Sequence, residues 1–321
     1  MTQKRKILFI IDSYSYMSVE PYQKNLIPAI NSCDLIQPEY IEKDSFLRTS
    51  QTFSFDGVYC ALKMRDSVKF ATTIRSKINS ATHIVFQDFD PWVFYDYTSA
   101  HYGGYKKIVN SIENISFHIP NEFWSNYIRN DLGCIVHTSH IGPSFTRFEN
   151  VKPHSERLFK HPVFYGSSYG VREYAFATLR AHGINVDWRK EKVPHAEFTN
   201  LLNDVKIWLH YEGVPQNVTS DYSMDNEVVR HWLWPKALEV LPYGPMLVRD
   251  YDSEADYYGI SSMPSAFLYK NFTEAHNIIN YLNGESQDKL DSLVRVTQEK
   301  IIQMRIWETF ANNIWRMYDA R

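Results

Sequence analysis

Five short apolar runs in the first half of the chain, Lys6 to Asp12, Val58 to Ala61, Thr82 to Gln87, Ile115 to His118 and Cys134 to Thr138, constrain the fold more than any other feature. Continuous β-rich runs of this kind suit strands buried on both faces of a parallel sheet. Polar or helix-patterned stretches, such as Ser67 to Ile78 and Tyr105 to Ile112, lie between them. Strands alternating with helices in this way predict βαβ units.

From Gly142 to Pro162 the pattern decays into a stretch with Pro143, Pro153, Pro162 and mixed charges, which reads as a linker. A second α/β series follows. Val163 to Tyr165 reads as a strand, Gly166 to Gly170 as a turn, and Arg172 to His182 as a helix stopped by Gly183. The series continues with a strand at Ile184 to Val186, a helix at Ala196 to Asp204, a strand at Lys206 to His210, a helix at Val228 to Leu241 and a strand at Pro245 to Val248. Apolar residues of Gln287 to Arg321 recur at helical spacing, which predicts one or two packed helices. A chain of 321 residues accommodates two domains of about 150 residues each. The expected organisation is an N-terminal Rossmann-like domain over 1-155, a C-terminal Rossmann-like domain over 156-300, and a helix over 301-321 that packs back on the first domain.

The composition, 44% hydrophobic and 22% charged, is that of an ordinary globular protein. A formal net charge of -3 argues against affinity gained by blanketing a polyanion. Cys33, Cys60 and Cys134 are scattered and lack metal-ligand spacing, so they read as buried free thiols in a reducing cytoplasm. The apolar run Ile7 to Ile11 is shorter than a signal-peptide core, and no run approaches the roughly 20 residues of a membrane helix. Without a secretory context, the Asn-x-Ser/Thr sites at Asn114, Asn217 and Asn271 read as chance.

Ligand clefts of open α/β sheets form at the carboxyl ends of strands. Two strand ends carry the leading candidates for chemistry. After Val163 to Tyr165 comes Gly166-Ser167-Ser168-Tyr169-Gly170 and then Arg172 at a helix start. Glycine lets backbone approach a diphosphate, N–H groups at the helix start hold the anion, and Arg172 adds a bidentate donor. The same turn also arises for steric reasons alone. After Thr82 to Gln87 comes Asp88-Phe89-Asp90, followed by Pro91, Trp92, Phe94, Tyr95 and Tyr97. A carboxylate here suits a general base for an acceptor hydroxyl. An Asp-x-Asp is also a pattern that binds a divalent metal, a secondary reading here because such triplets arise by chance and a second one, Asp250-Tyr251-Asp252, occurs in this chain. Asp12, His118 and Glu122 are the reserve candidates for a base.

The most informative segment is Trp234 to Val248. Lys236, Glu239 three residues later and Gly244 five residues after that lead into an apolar strand. Lys236 and Glu239 on one helix also read as a solvated ion pair. Together with His161 to Gly170, Val193 to Phe198 and Lys206 to His210, the segment resembles the C-terminal domain of GT-B glycosyltransferases. It is most similar to the spore-maturation-protein type, with the group-1 transferases further away. The resemblance covers 161-321; the N-terminal half matches only as a generic parallel α/β domain.

What the resemblance implies is an α/β fold of two Rossmann-like parallel-sheet domains facing each other across a cleft, with a nucleotide-diphosphate sugar bound mainly by the second. Glu239 would hold the donor ribose, Lys236 would face the diphosphate, and Val193 would lie against the nucleobase. The group-1 pattern places a second Glu where this chain has His231, which opens the stereochemistry and the role of that position. Expected is a transferase that needs no cofactor or metal, with a UDP-sugar as the favoured donor. Its acceptor hydroxyl belongs to a saccharide, a small molecule or a hydroxymethylated base of phage DNA. The alternatives are a metal-dependent transferase using Asp88 and Asp90, and a protein that binds nucleotide sugar without turnover.

Overall fold

The computed structural model describes residues 4–13, 21–89, 91–95, 99–139, 151–166, 170–190, 195–211, 236–251, 253–304 and 306–318. The chain divides into two compact units, Met1–Ile141 with Ile306–Arg321, and Gly142–Arg305.

Unit 1 is a six-stranded sheet with all strands parallel. In chain order the strands are β1 (Arg5–Ile11), β2 (Ile36–Glu42), β3 (Gly57–Ala61), β4 (His83–Gln87), β5 (Ile115–His118) and β6 (Val136–His137), arranged β2-β1-β3-β4-β5-β6. Every residue of β3 and β4 is buried, as are Ile7 to Ile11 of β1. That double-sided burial is what the continuous apolar runs predict. The helices are α1 (Pro21–Asn31), α2 (Lys43–Arg48), α3 (Met64–Ser76), α4 (Gly104–Ser111) and α5 (Glu122–Leu132). Helix α5 begins at Asn121, whose side chain accepts from Trp124 N at 2.7 Å, and stops at Gly133 with φ 62°.

Unit 2 is a five-stranded parallel sheet ordered β11-β10-β9-β7-β8. Its strands are β7 (Val163–Tyr165), β8 (Asp187–Arg189), β9 (Ile207–His210), β10 (Met246–Asp250) and β11 (Ala266–Tyr269). Its helices are α6 (Gly170–Ala181), α7 (His195–Asp204), α8 (Lys236–Val240), α9 (Ser253–Tyr257), α10 (Phe272–Gly284) and α11 (Gln287–Gln303). Side chains alternate across a strand, and here that builds two cores. Phe164, Ile207, Leu209, Met246 and Val248 meet α6, α10 and α11 on one face. Val163, Trp208 and Leu247 meet α7, α8 and Ile301 on the other.

One strand lies elsewhere than the sequence suggests. Among the described residues Ile184 to Val186 pairs with no strand; Gly183 at φ 81° closes α6, with Ile184 N donating to Leu179 O and Gly183 N to Arg180 O. Ile184 then packs in the core, and the strand starts three residues later at Asp187. The thiols also differ from expectation: all three are free, yet only Cys33 and Cys60 are buried, and Cys134 is partly exposed. Asn271 has a local task, capping α10 by accepting from Glu274 N at 2.9 Å.

The final helix, α12 (Ile306–Arg316), belongs to unit 1 and packs on α1. Phe310 lies 5.1 Å from the His118 ring at the carboxyl edge of the sheet, while Tyr318 OH donates to Val58 O at 2.7 Å near the opposite edge. A β-carbon on Gly57 would lie 2.3 Å from the Tyr318 ring, so this glycine makes room for the returning segment. Among the described residues no helix is long and apolar enough to cross a membrane.

Candidate functional site

In unit 2 the strand order reverses between β7 and β9, and the carboxyl ends there are Tyr165-Gly166 and His210-Tyr211. Such a switch point is where an open α/β sheet binds its ligand. Arg172, in the first turns of α6, comes to this place. Its guanidinium lies 4.9 Å over the Phe164 ring, and Nε donates to Tyr211 O at 3.3 Å. A β-carbon on Gly166 would stand 3.1 Å from Arg172 Nη1, so the missing side chain lets the guanidinium approach the strand end. Gly166 is fixed in turn by its N–H to Arg189 O at 3.0 Å and by Trp188 Nε1 donating to its carbonyl at 3.0 Å. The Tyr211 hydroxyl is buried and has no hydrogen-bond partner among the described residues. Burial, with Asp250 and Tyr174 adding to it, raises its pKa, so it is a neutral donor.

Glu239 sits on α8 and is buried, with 8% of its surface exposed. Its neighbours Leu238 and Val240 fill the core at 0% exposure, which anchors the short helix. Burial, and secondarily the Glu239 charge, raises the pKa of Tyr243, so carboxylate and phenol are near neighbours. Gly244 ends the segment at φ 88°, and a β-carbon there would lie 2.5 Å from Arg157 Nη2. Arg157 is a residue that the sequence reading missed. Its guanidinium donates to Lys152 O, Leu202 O, Val205 O and Tyr243 O at 3.1, 3.0, 2.7 and 2.7 Å. Burial lowers its pKa to about 10, which leaves it charged at neutral pH. The glycine of the motif is therefore required by left-handed backbone and by this guanidinium.

In unit 1 Asp88 is buried with 4% exposed; its N–H donates to His118 O at 3.0 Å and its carboxylate accepts from Tyr105 OH at 2.5 Å. Beside it lies a closed network at the ends of β3, β4 and β5. Tyr59 OH donates to Gln87 Oε1 at 2.9 Å and contacts His118 Nδ1 at 2.6 Å, while His118 Nε2 contacts Ser139 Oγ at 2.5 Å. Since Tyr59 gives its one proton to Gln87, His118 donates from Nδ1 and receives the Ser139 proton at Nε2. Burial, then the nearby His137, lowers the His118 pKa to about 3, so the ring is neutral. At the reversal of strand order between β1 and β3, Lys43 Nζ stands 3.2 Å from Asp12 Oδ1 and 2.9 Å from Asp66 Oδ2.

The structure thus brings Gly166 and Arg172 together at one strand edge and sets Glu239 against Tyr243 ahead of β10. Asp90, Tyr97, Ser167, Ser168, Tyr169, Val193, His231 and Asp252 lie outside the described residues, as do 142–150 of the linker stretch and 228–235 of the expected helix. Lys236 begins α8, and its side chain lies outside the description. Among the described residues no group of three or more His, Cys, Asp or Glu is placed to hold a metal.

No protein-family model and no curated protein sequence matches the chain. Solved structures do. Anabaena Alr3699/HepE, determined in complex with UDP-glucose, is similar with a TM-score of 0.58 at 11% identity, covering 98% of each chain. OtsA in its apo form is similar with a TM-score of 0.58 at 9% identity, covering 99% of this chain and 100% of OtsA. TarM is similar with a TM-score of 0.52 at 13% identity over 82% of this chain, which spans 55% of TarM. These neighbours are GT-B glycosyltransferases, and the fold of this chain, two parallel-sheet α/β domains with the last helix returned to the first, is the GT-B fold.

Proposed function

We propose that the protein is a glycosyltransferase that moves a hexosyl or pentosyl group from a nucleotide-diphosphate sugar, a UDP-sugar, to an acceptor hydroxyl. The observation that carries this reading is the carboxyl edge of the unit 2 sheet. There the Arg172 guanidinium stands over Phe164 and beside Gly166 at the switch point; in the same unit a buried carboxylate, Glu239, sits on the helix that leads through Gly244 into the start of β10. Support for the donor comes from HepE, whose structures contain UDP-glucose, UDP, or UDP with glucose.

In this reading Glu239 accepts two ribose hydroxyl protons in fixed geometry. Lys236, Arg172 and the turn Gly166-Ser167-Ser168-Tyr169 face the diphosphate and offset the charge that grows on it as the glycosidic bond breaks. Val193 lies against the base, and His231 is a donor-side neighbour of unassigned chemistry. Unit 1 takes the acceptor, a saccharide, a small molecule or a hydroxymethylated base. Asp88, which accepts from Tyr105, and Asp90 are the candidate bases for the acceptor hydroxyl.

Calorimetry with UDP, UDP-glucose and other nucleoside diphosphates tests the donor; wild-type protein should bind a UDP species most tightly. Glu239→Gln should weaken that binding by about tenfold or more, since it removes a charged acceptor. Lys236→Ala should lower kcat more than it raises KM, because it removes charge stabilisation in the transition state. Unchanged binding and kinetics in both variants would remove the assignment. His231, where the related pattern has a carboxylate, motivates the second reading of a binding protein without turnover; UDP binding with no release of nucleotide to any acceptor would select it.

A further inference from the structure

The sheet of unit 1 has its own switch point, between β1 and β3, and the side chain that the chain places there is Asp12. Three successive strand ends converge on it. Asp12 follows β1, Lys43 follows β2 as the first residue of α2, and Asp66 lies in the first turn of α3 after β3. Lys43 is committed to both carboxylates, at 3.2 Å to Asp12 Oδ1 and 2.9 Å to Asp66 Oδ2. Its pKa is raised, first by the hydrogen bond to Asp66 and, against the opposing effect of burial, by Asp12, so the ammonium is fixed. The Asp12 side chain is only 12% exposed. Its second oxygen, Oδ2, is out of solvent and has no hydrogen-bond partner among the described residues. A carboxylate with one oxygen pinned and the other buried without a donor is costly to keep. It is the arrangement expected where a ligand supplies the donor.

Resting on the reading of unit 1 as the acceptor side, we propose that Asp12 Oδ2 receives the acceptor's hydroxyl, and that the acceptor is an uncharged saccharide. One ammonium against two carboxylates leaves this trio with a net negative charge. With Lys43 saturated, no cation of the trio is left to pair with a phosphate. A phosphorylated sugar or a DNA backbone meets repulsion here, whereas a neutral polyol offers the donor that Oδ2 lacks. Lys43 acts as a positioning residue, holding the Asp12 carboxylate in place through Oδ1.

Release of UDP from the donor that wild-type protein binds is measured with three acceptor classes: neutral mono- and oligosaccharides, glucose 6-phosphate, and a DNA duplex containing 5-hydroxymethylcytosine. UDP affinity and the thermal midpoint are followed in parallel. Neutral saccharides should stimulate release, and Asp12→Ala should lower kcat/KM for the saccharide by ~10–100-fold with UDP affinity unchanged. Asp12→Asn, which keeps the shape and removes the charge, should narrow the preference for neutral over phosphorylated sugar. A merely structural Asp12 would instead lower the midpoint and leave that preference where it was. The inference falls if only the phosphate or the DNA stimulates, if both variants keep saccharide-stimulated release, or if no saccharide stimulates a protein that binds UDP. Wild-type protein that does not bind UDP sinks the donor reading itself, a separate outcome.

Discussion

Gly244 shows how one residue of a recognisable motif can owe its identity to a neighbour far away in sequence. Its φ of 88° is strained for any side chain, and the space for a β-carbon is already filled by Arg157 Nη2 at 2.5 Å and Val151 Cγ1 at 3.0 Å. Gly244→Ala should therefore destabilise unit 2 by about 2 kcal/mol or more, combining left-handed strain with a displaced guanidinium. Urea unfolding checks this; an unchanged midpoint would mean that Arg157 moves aside at no cost. The motif Lys236, Glu239, Gly244 was legible in sequence because its spacing is local. Arg157 was not, since it lies in a proline-containing stretch and its acceptors Leu202, Val205 and Tyr243 are distant in the chain. The same limit applies in unit 1. Asp12 and His118 could be named as candidates, but only the fold shows that His118 is enclosed by Tyr59 and Ser139 while Asp12 keeps one oxygen unpartnered.

At the level of elements, strands built from continuous apolar runs were legible and the polar edge strand β2 was not. β3, β4 and β5 read directly from apolar runs, whereas β2 carries Pro38 and two glutamates. It is tolerated because β2 is an edge strand, where proline costs no interior ladder bond. Helix α5 was hidden for another reason: the Pro120-Asn121 pair reads as loop, yet Asn121 is the cap that starts it. The return of α12 depends on a close fit at its end, where Gly57 faces the Tyr318 ring. Gly57→Ala should cost about 1–3 kcal/mol by overpacking. Tyr318→Ala should relieve that clash, so the double variant should lose less stability than the sum of the two singles. A strictly additive pair in chemical unfolding would show that α12 does not seat through this contact.

For the molecule as a whole, acid should act on both units through a wholly buried neutral histidine in each, His118 and His154. In unit 1 His118 is wholly enclosed and its pKa is lowered to about 3 by burial and by His137. In unit 2 His154 is also buried, and its N–H and Nδ1 both contact Asp291 Oδ1, at 2.9 and 2.8 Å. Geometry alone would make this an ion pair. Burial nevertheless lowers the His154 pKa against the pull of Asp291, with Arg157 and Lys206 adding to the lowering, so the contact is a neutral hydrogen bond at pH 7. The unfolded chain protonates each ring near pH 6.5, whereas the folded chain resists until lower pH. Below pH 6.5 the unfolded state therefore binds more protons, and stability falls as pH falls. The loss is about 1.4 kcal/mol per pH unit for each ring while only the unfolded form is charged. For His118 the window runs from about 6.5 down to about 3, and above 6.5 its contribution is complete. Unfolding free energies measured by urea between pH 7.5 and 4.5 should slope accordingly. His118→Gln should flatten the slope of the transition that reports unit 1, and His154→Gln that of unit 2. If the slope is the same in wild type and both variants, carboxylates rather than these histidines set the acid limit.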